Sequence, residues 1–193
     1  MSSPPFNFVV ALPAESKPLI AHFGLKRLQP DGGFPIYQKD GISLIRSGVG
    51  RAAAQKATRT LLNHQQQKGC IWINLGIAGH ASRPIGDMIL AQYIRDEASQ
   101  QQWEIPARLD PPCELERLTT LSRPGFDYTR PGAFDMEAAG FLSALDGDGY
   151  CLKIISDNRH HPGHGMKAKW VSQLIRERLD KIEQFMHPFS NQR

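Results

Sequence analysis

The chain has 193 residues, is 40% hydrophobic and 22% charged, and carries a formal net charge of +4. These values place it among soluble globular proteins of about one domain, residues 1–193. They count against a membrane span, because no apolar run approaches the roughly 20 residues needed to cross a bilayer. The polar start Met1-Ser2-Ser3-Pro4-Pro5 lacks a secretory pattern, and three widely spaced cysteines (Cys70, Cys113, Cys151) fit a reduced, cytoplasmic protein. The Lys and Arg residues are scattered, so the positive charge reads as solubility and no nucleic-acid or membrane partner is expected.

Taken in order, residues 6–12 form a compact apolar run ending at Pro13, as a buried first strand would. A helix over 14–23 follows, with Glu15 near its start and Pro18 in its first turns. Two short strands near 34–39 and 42–47 flank Asp40-Gly41, a hairpin signal. Ser47-Gly48-Val49-Gly50-Arg51 then leads into an alanine-rich helix reaching about residue 65. A glycine turn at a helix start exposes N–H groups to an anion, a water or a hydroxyl-rich ligand, so Gly48, Gly50 and Arg51 are candidates.

Residues 70–75 read as a central strand running into the small-residue turn Gly76-Ile77-Ala78-Gly79-His80, where a flat ligand can approach backbone. Another strand covers 88–94. Residues 98–131 are irregular and rich in proline, with one short helix near 113–121. A segment this long without regular structure points to function or mobility. Order returns with a helix beginning near Asp135, a turn at 146–149 and a strand over 150–156 that ends at Asp157. The loop holding His160, His161 and His164 reads as a lid over Asp157 rather than a metal site. A last helix over 167–186 carries an apolar stripe for the core. The alternation of strand and helix predicts an α/β fold.

The stretch Phe134-Asp135-Met136-Glu137-Ala138-Ala139-Gly140 places two carboxylates about a methionine at a helix start, with small residues after it for close packing. Asp157, at the end of a buried strand, lies where open α/β sheets bind ligands. Three acids on separate elements, converging at strand ends, can divide general-acid and general-base roles between them. Asp157 would then have to hold a proton near neutral pH, which burial favours.

Four segments in this order resemble the nucleoside phosphorylase/nucleosidase superfamily, most closely its methylthioadenosine/S-adenosylhomocysteine nucleosidase branch. They are Val9-Val10-Ala11-Leu12-Pro13-Ala14-Glu15, Ser47-Gly48-Val49-Gly50-Arg51, Asn74-Leu75-Gly76-Ile77-Ala78-Gly79 with Ile85-Gly86-Asp87, and Asp135-Met136-Glu137-Ala138-Ala139 with Ile155-Ser156-Asp157. The resemblance implies a three-layer αβα sandwich around a mixed, twisted, mostly parallel sheet. It also implies N-glycosidic cleavage of a purine nucleoside or related adenosyl compound. In these terms Asp157 serves the purine N7, Glu137 binds ribose hydroxyls, Met136 packs on the sugar, Asp135 stands beside them and backbone at Ala78-Gly79 lines the base site. Glu15 would activate water. No cofactor is implied. Inorganic phosphate is admitted as a co-substrate, and relatives form dimers, trimers or hexamers. The chain departs from the pattern at Ile77, where nucleosidases commonly carry a serine that helps hold water. It also has a shortened segment before Phe134, in which Phe126 or Tyr128 stands in for a base-stacking aromatic. A catalytically inactive or altered nucleoside-binding protein on the same fold is the alternative.

Overall fold

The structure, a computed structural model, describes residues 4–28, 33–64, 69–105 and 110–190. The first apolar run is strand β1 (Phe6–Val10), buried at every position, and Pro13 opens helix α1 (Pro13–His22). Pro18 inside α1 has no N–H to offer the Ala14 carbonyl, and the Ser172 hydroxyl donates to that oxygen instead at 2.6 Å. After β2 (Lys26–Arg27), strands β3 (Ile36–Lys39) and β4 (Ile42–Arg46) form the expected hairpin. Both its turn residues, Asp40 and Gly41, have positive φ (48° and 80°), as a tight two-residue turn requires. Helix α2 (Arg51–His64) follows, and its expected end at residue 65 lies outside the described residues.

Strand β5 (Ile71–His80) runs straight through the residues expected to turn. Its small residues serve close packing instead. A Cβ on Gly76 would lie 3.0 Å from Glu15 Oε1, and one on Gly79 would meet the Phe134 ring at 2.3 Å. Strand β6 (Met88–Asp96) comes next, then β7 (Gln102–Glu104) and β8 (Glu114–Thr120). The helix expected near 113–121 is therefore a strand. Leu118 and Thr120 face inward, the Thr pair favours extended backbone, and the segment pairs in parallel with β6. Pro106, part of the proline-rich region, lies outside the described residues.

Strand β9 (Ala133–Asp135) precedes α3 (Ala138–Ala144), so Asp135 closes a strand and does not begin a helix, and Glu137 is the N-cap residue. Strand β10 (Tyr150–Asp157) ends where expected. The last helix is two, α4 (Ala168–Arg176) and α5 (Leu179–Ser190). Arg178, between them, is held by its Nε–H bond to the Gly86 carbonyl at 2.6 Å.

The strand order is β10-β6-β8-β9-β5-β1-β4-β3-β2, with β7 beside β6. Because β10 also pairs with β5, the strands β10, β6, β8, β9 and β5 close a five-stranded ring. The sheet thus departs from the open layer expected in an αβα sandwich. It is mixed, as expected, but not mostly parallel: among the described residues five of ten strand pairings are parallel. Phe8 and Val10 of β1 pack with Leu174, Ile182 and Phe185 of α4 and α5, while Val9 packs with Leu61 and Phe141 of α2 and α3. Burying each of these large side chains stabilises the fold by about 1.5–3 kcal/mol. Helix α3 lies against α2 at backbone distance, because a Cβ on Gly140 would fall 2.0 Å from the Arg51 carbonyl oxygen. That approach anchors the Asp135–Glu137 turn over the sheet.

Candidate active site

Strands β1, β5 and β10 are parallel neighbours, so their C-terminal ends share one edge. Strand β9 runs antiparallel to β5, with Gly79 opposite Phe134, and delivers Asp135, Met136 and Glu137 to the same edge. A cavity of about 400 Å³ opens there. It is lined by Glu15, Glu137 and Asp157, together with Met136, Asp135, Ile77, Ala78 and Gly79. The structure therefore brings together the acids and the neutral contacts that the sequence singles out. The size is that of a small-molecule pocket.

Glu15 is the third residue of α1 and is buried. Its Oε2 accepts the Leu12 N–H at 2.8 Å and its Oε1 the Ile77 N–H at 2.9 Å. Burial raises its pKa above the ordinary value, opposed by those two N–H donors and by Lys153. Ile77 thus contributes its backbone N–H, which holds Glu15 in place, while its side chain brings no hydroxyl to the site.

Glu137 accepts the Gly50 N–H on Oε1 at 2.7 Å. Its Oε2 has no hydrogen bond among the described residues. Burial, then the negative charge of Asp135, push its pKa up to about 7. Two N–H groups of the glycine turn thus already have acceptors within the fold. Gly50 N–H serves Glu137, and Gly48 N–H donates to the Ala11 carbonyl at 3.0 Å. Arg51 turns away and pairs with Asp96 at 3.0 Å, and it does not line the cavity.

Asp135 is committed to the floor of the site. Its Oδ1 accepts the Thr120 hydroxyl at 2.8 Å, and its Oδ2 accepts the Ala138 N–H at 2.9 Å and meets Lys153 Nζ at 2.8 Å. Lys153 is buried within β10 and also donates to Asn74 Oδ1 at 2.7 Å. Burial pushes its pKa down, but Asp135, Cys151 and Glu137 together outweigh this and hold it above the ordinary value. Sequence reasoning passed over Lys153 as part of an apolar run. A lone lysine in such a run is itself a signal, since a buried ammonium needs an acid beside it.

Asp157 accepts two hydroxyl donors, Ser156 on Oδ1 at 2.5 Å and Tyr128 on Oδ2 at 2.6 Å. The loop after it folds across the site. Gly163 and Met166 line the cavity, and a Cβ on Gly163 would stand 2.9 Å from Asp157 Cγ. Phe126 lines the cavity too and stacks on His164, with ring centroids 3.7 Å apart. His160 and His161 are exposed and lie outside this cavity.

Among solved structures, this fold is similar to that of several nucleosidases and a futalosine hydrolase. A 5′-methylthioadenosine nucleosidase from Arabidopsis thaliana matches with a TM-score of 0.83 at 16% identity, over 100% of this chain and 98% of that one. A 5′-methylthioadenosine/S-adenosylhomocysteine nucleosidase from S. pneumoniae, bound to a transition-state inhibitor, gives 0.74 at 18%, over 94% and 98%. A futalosine hydrolase mutant from Helicobacter pylori gives 0.69 at 15%, over 92% and 99%. No family model and no curated sequence matches the chain. At these identities the likeness is one of fold.

Proposed function

We propose that the chain is a nucleosidase of the nucleoside phosphorylase/nucleosidase superfamily, hydrolysing the N-glycosidic bond of a purine nucleoside or related adenosyl compound. The observation that carries this reading is the cavity's lining: the carboxylates of Glu15, Asp135, Glu137 and Asp157, with no Lys, Arg or His among the described residues that line it. An oxocarbenium-like sugar is stabilised by such surroundings, whereas an incoming phosphate dianion is repelled by them. Water, not phosphate, is therefore the nucleophile. The N–H groups of Gly50 and Gly48, engaged by Glu137 and the Ala11 carbonyl, favour the same conclusion.

In this mechanism Glu15 takes a proton from a water that adds to C1′. The electron pair of the C1′–N9 bond leaves with the purine, and Asp157 gives a proton to N7 so that the base departs neutral. Glu137 accepts hydrogen bonds from ribose hydroxyls through Oε2, and Met136 packs against the sugar. The reading includes a single domain, a cytoplasmic location and assembly into a homo-oligomer, which light scattering tests. The functional test is base release from a panel of purine nucleosides with and without inorganic phosphate. Release that is indifferent to phosphate is expected. Release that requires phosphate makes the chain a phosphorylase. No release, with a purine still raising the melting temperature, makes it a nucleoside-binding protein.

A further inference from the structure

Tyr128 lies in the short segment before Phe134 and is 8% exposed, its ring 5.7 Å from that of Phe134 in a cluster with Leu121. Its hydroxyl donates to Asp157 Oδ2 at 2.6 Å, and its oxygen accepts the Gly163 N–H at 2.9 Å. The three groups form a chain, Gly163 N–H to Tyr128 O–H to Asp157. The amide polarises the phenol toward the carboxylate, and hydrogen bonds in series strengthen one another. Burial, then the neighbouring Asp157, raise the phenol's pKa to about 12, so it remains a donor throughout the physiological range. Tyr128 itself does not line the cavity, whereas Asp157 and Gly163 do. Its hydroxyl therefore reaches the acid from behind, and each carboxylate oxygen keeps a second lone pair for a ligand.

We propose that Tyr128 is a positioning residue that aims Asp157 at the leaving base and makes that aim depend on the 158–167 loop lying closed. The loop contributes through Gly163, where any side chain would strike Asp157. An outer contact, His164 on Phe126, holds the same two segments together at the cavity mouth. The proposal rests on the nucleosidase reading, because it assigns Tyr128 to the acid half of that reaction.

The test is Tyr128→Phe, which keeps the ring against Phe134 and removes only the hydroxyl. Two substrates are compared, a purine nucleoside, whose base needs a proton, and 4-nitrophenyl riboside, whose leaving group needs none. General acid help spans about two to four orders of magnitude, so misaiming the acid is expected to lower kcat on the purine nucleoside by about 10- to 100-fold and to leave the riboside rate nearly unchanged. Amide exchange at Gly163 is expected to quicken by about 10-fold as its acceptor is lost, with β10 unaffected. Equal losses on both substrates, or no loss on either, overturn the positioning role. Wild-type protein that cleaves no purine nucleoside overturns the nucleosidase reading instead, and with it the acid role. The exchange measurement then decides the link to the loop, which unchanged protection at Gly163 overturns.

Discussion

Replacing Lys153 by methionine tests how the floor of the site is held. The Lys153 side chain is 1% exposed and that of Asp135 0%, so neither charge can turn to water when its partner is lost. Breaking a buried pair by removing one partner costs about 3–5 kcal/mol, chiefly because the remaining charge is stranded. Asp135 keeps the Thr120 hydroxyl and the Ala138 N–H, which moves the expected cost toward the lower part of that range. Asn74 Oδ1 loses its donor as well, which adds about 1 kcal/mol. The sum, about 4 kcal/mol, corresponds to a Tm lower by on the order of 10 °C for a chain of this length. Urea denaturation of Lys153→Met, Asp135→Asn and the double variant forms a cycle that isolates the pair. The double variant should recover much of the loss, since asparagine at position 135 leaves no stranded charge and its one carbonyl oxygen still accepts the Ala138 N–H. A single-variant cost below about 1 kcal/mol, or a double variant no better than the single, would refute the reasoning.

Asp157→Asn is expected to abolish cleavage of purine nucleosides with little change in stability, because the amide oxygen still accepts a hydroxyl donor. Near-normal turnover would remove Asp157 as the general acid. Glu137 binds its proton more tightly in the fold, at about 7, than at its ordinary 4.5. The native state therefore holds more protons than the unfolded chain between these values, and stability falls as pH rises through them. Glu137→Gln should flatten that part of the stability profile. An unchanged slope in urea melts on either side of the window would contradict the assignment. Gly140→Ala drives a methyl into the Arg51 carbonyl and should cost about 1–3 kcal/mol or more, whereas an unchanged denaturation midpoint would mean that α2 and α3 part easily.

Much of the framework is legible in the sequence because it rests on local signals. Apolar runs mark β1, the start of β5 and β10, and Asp40-Gly41 marks the hairpin turn. The small residues after Glu137 mark a close helix approach. Glu15 and Asp157 are legible because one follows and the other ends an apolar run, and Glu137 because it stands with Asp135 about Met136 ahead of small residues. What the sequence hides is set by distant partners. Strand β8 carries mostly polar residues and is extended because β6 lies beside it. The break between α4 and α5 has no glycine or proline and depends on Arg178 reaching Gly86. Ring closure follows from β10 pairing with both β5 and β6. The ionic role of Lys153 depends on Asp135, and the role of Tyr128 on Asp157 and Gly163. None of these pairs is near in sequence.

The central claim is that the carboxylate-lined cavity directs water to C1′ of a purine nucleoside. Turnover in oxygen-18 water, with phosphate present, tests it most directly. The account predicts free base and a ribose carrying one oxygen-18 at C1′, formed by the wild-type chain and suppressed by Glu15→Gln. Ribose 1-phosphate with no label at C1′, or labelled ribose produced undiminished by Glu15→Gln, would contradict it.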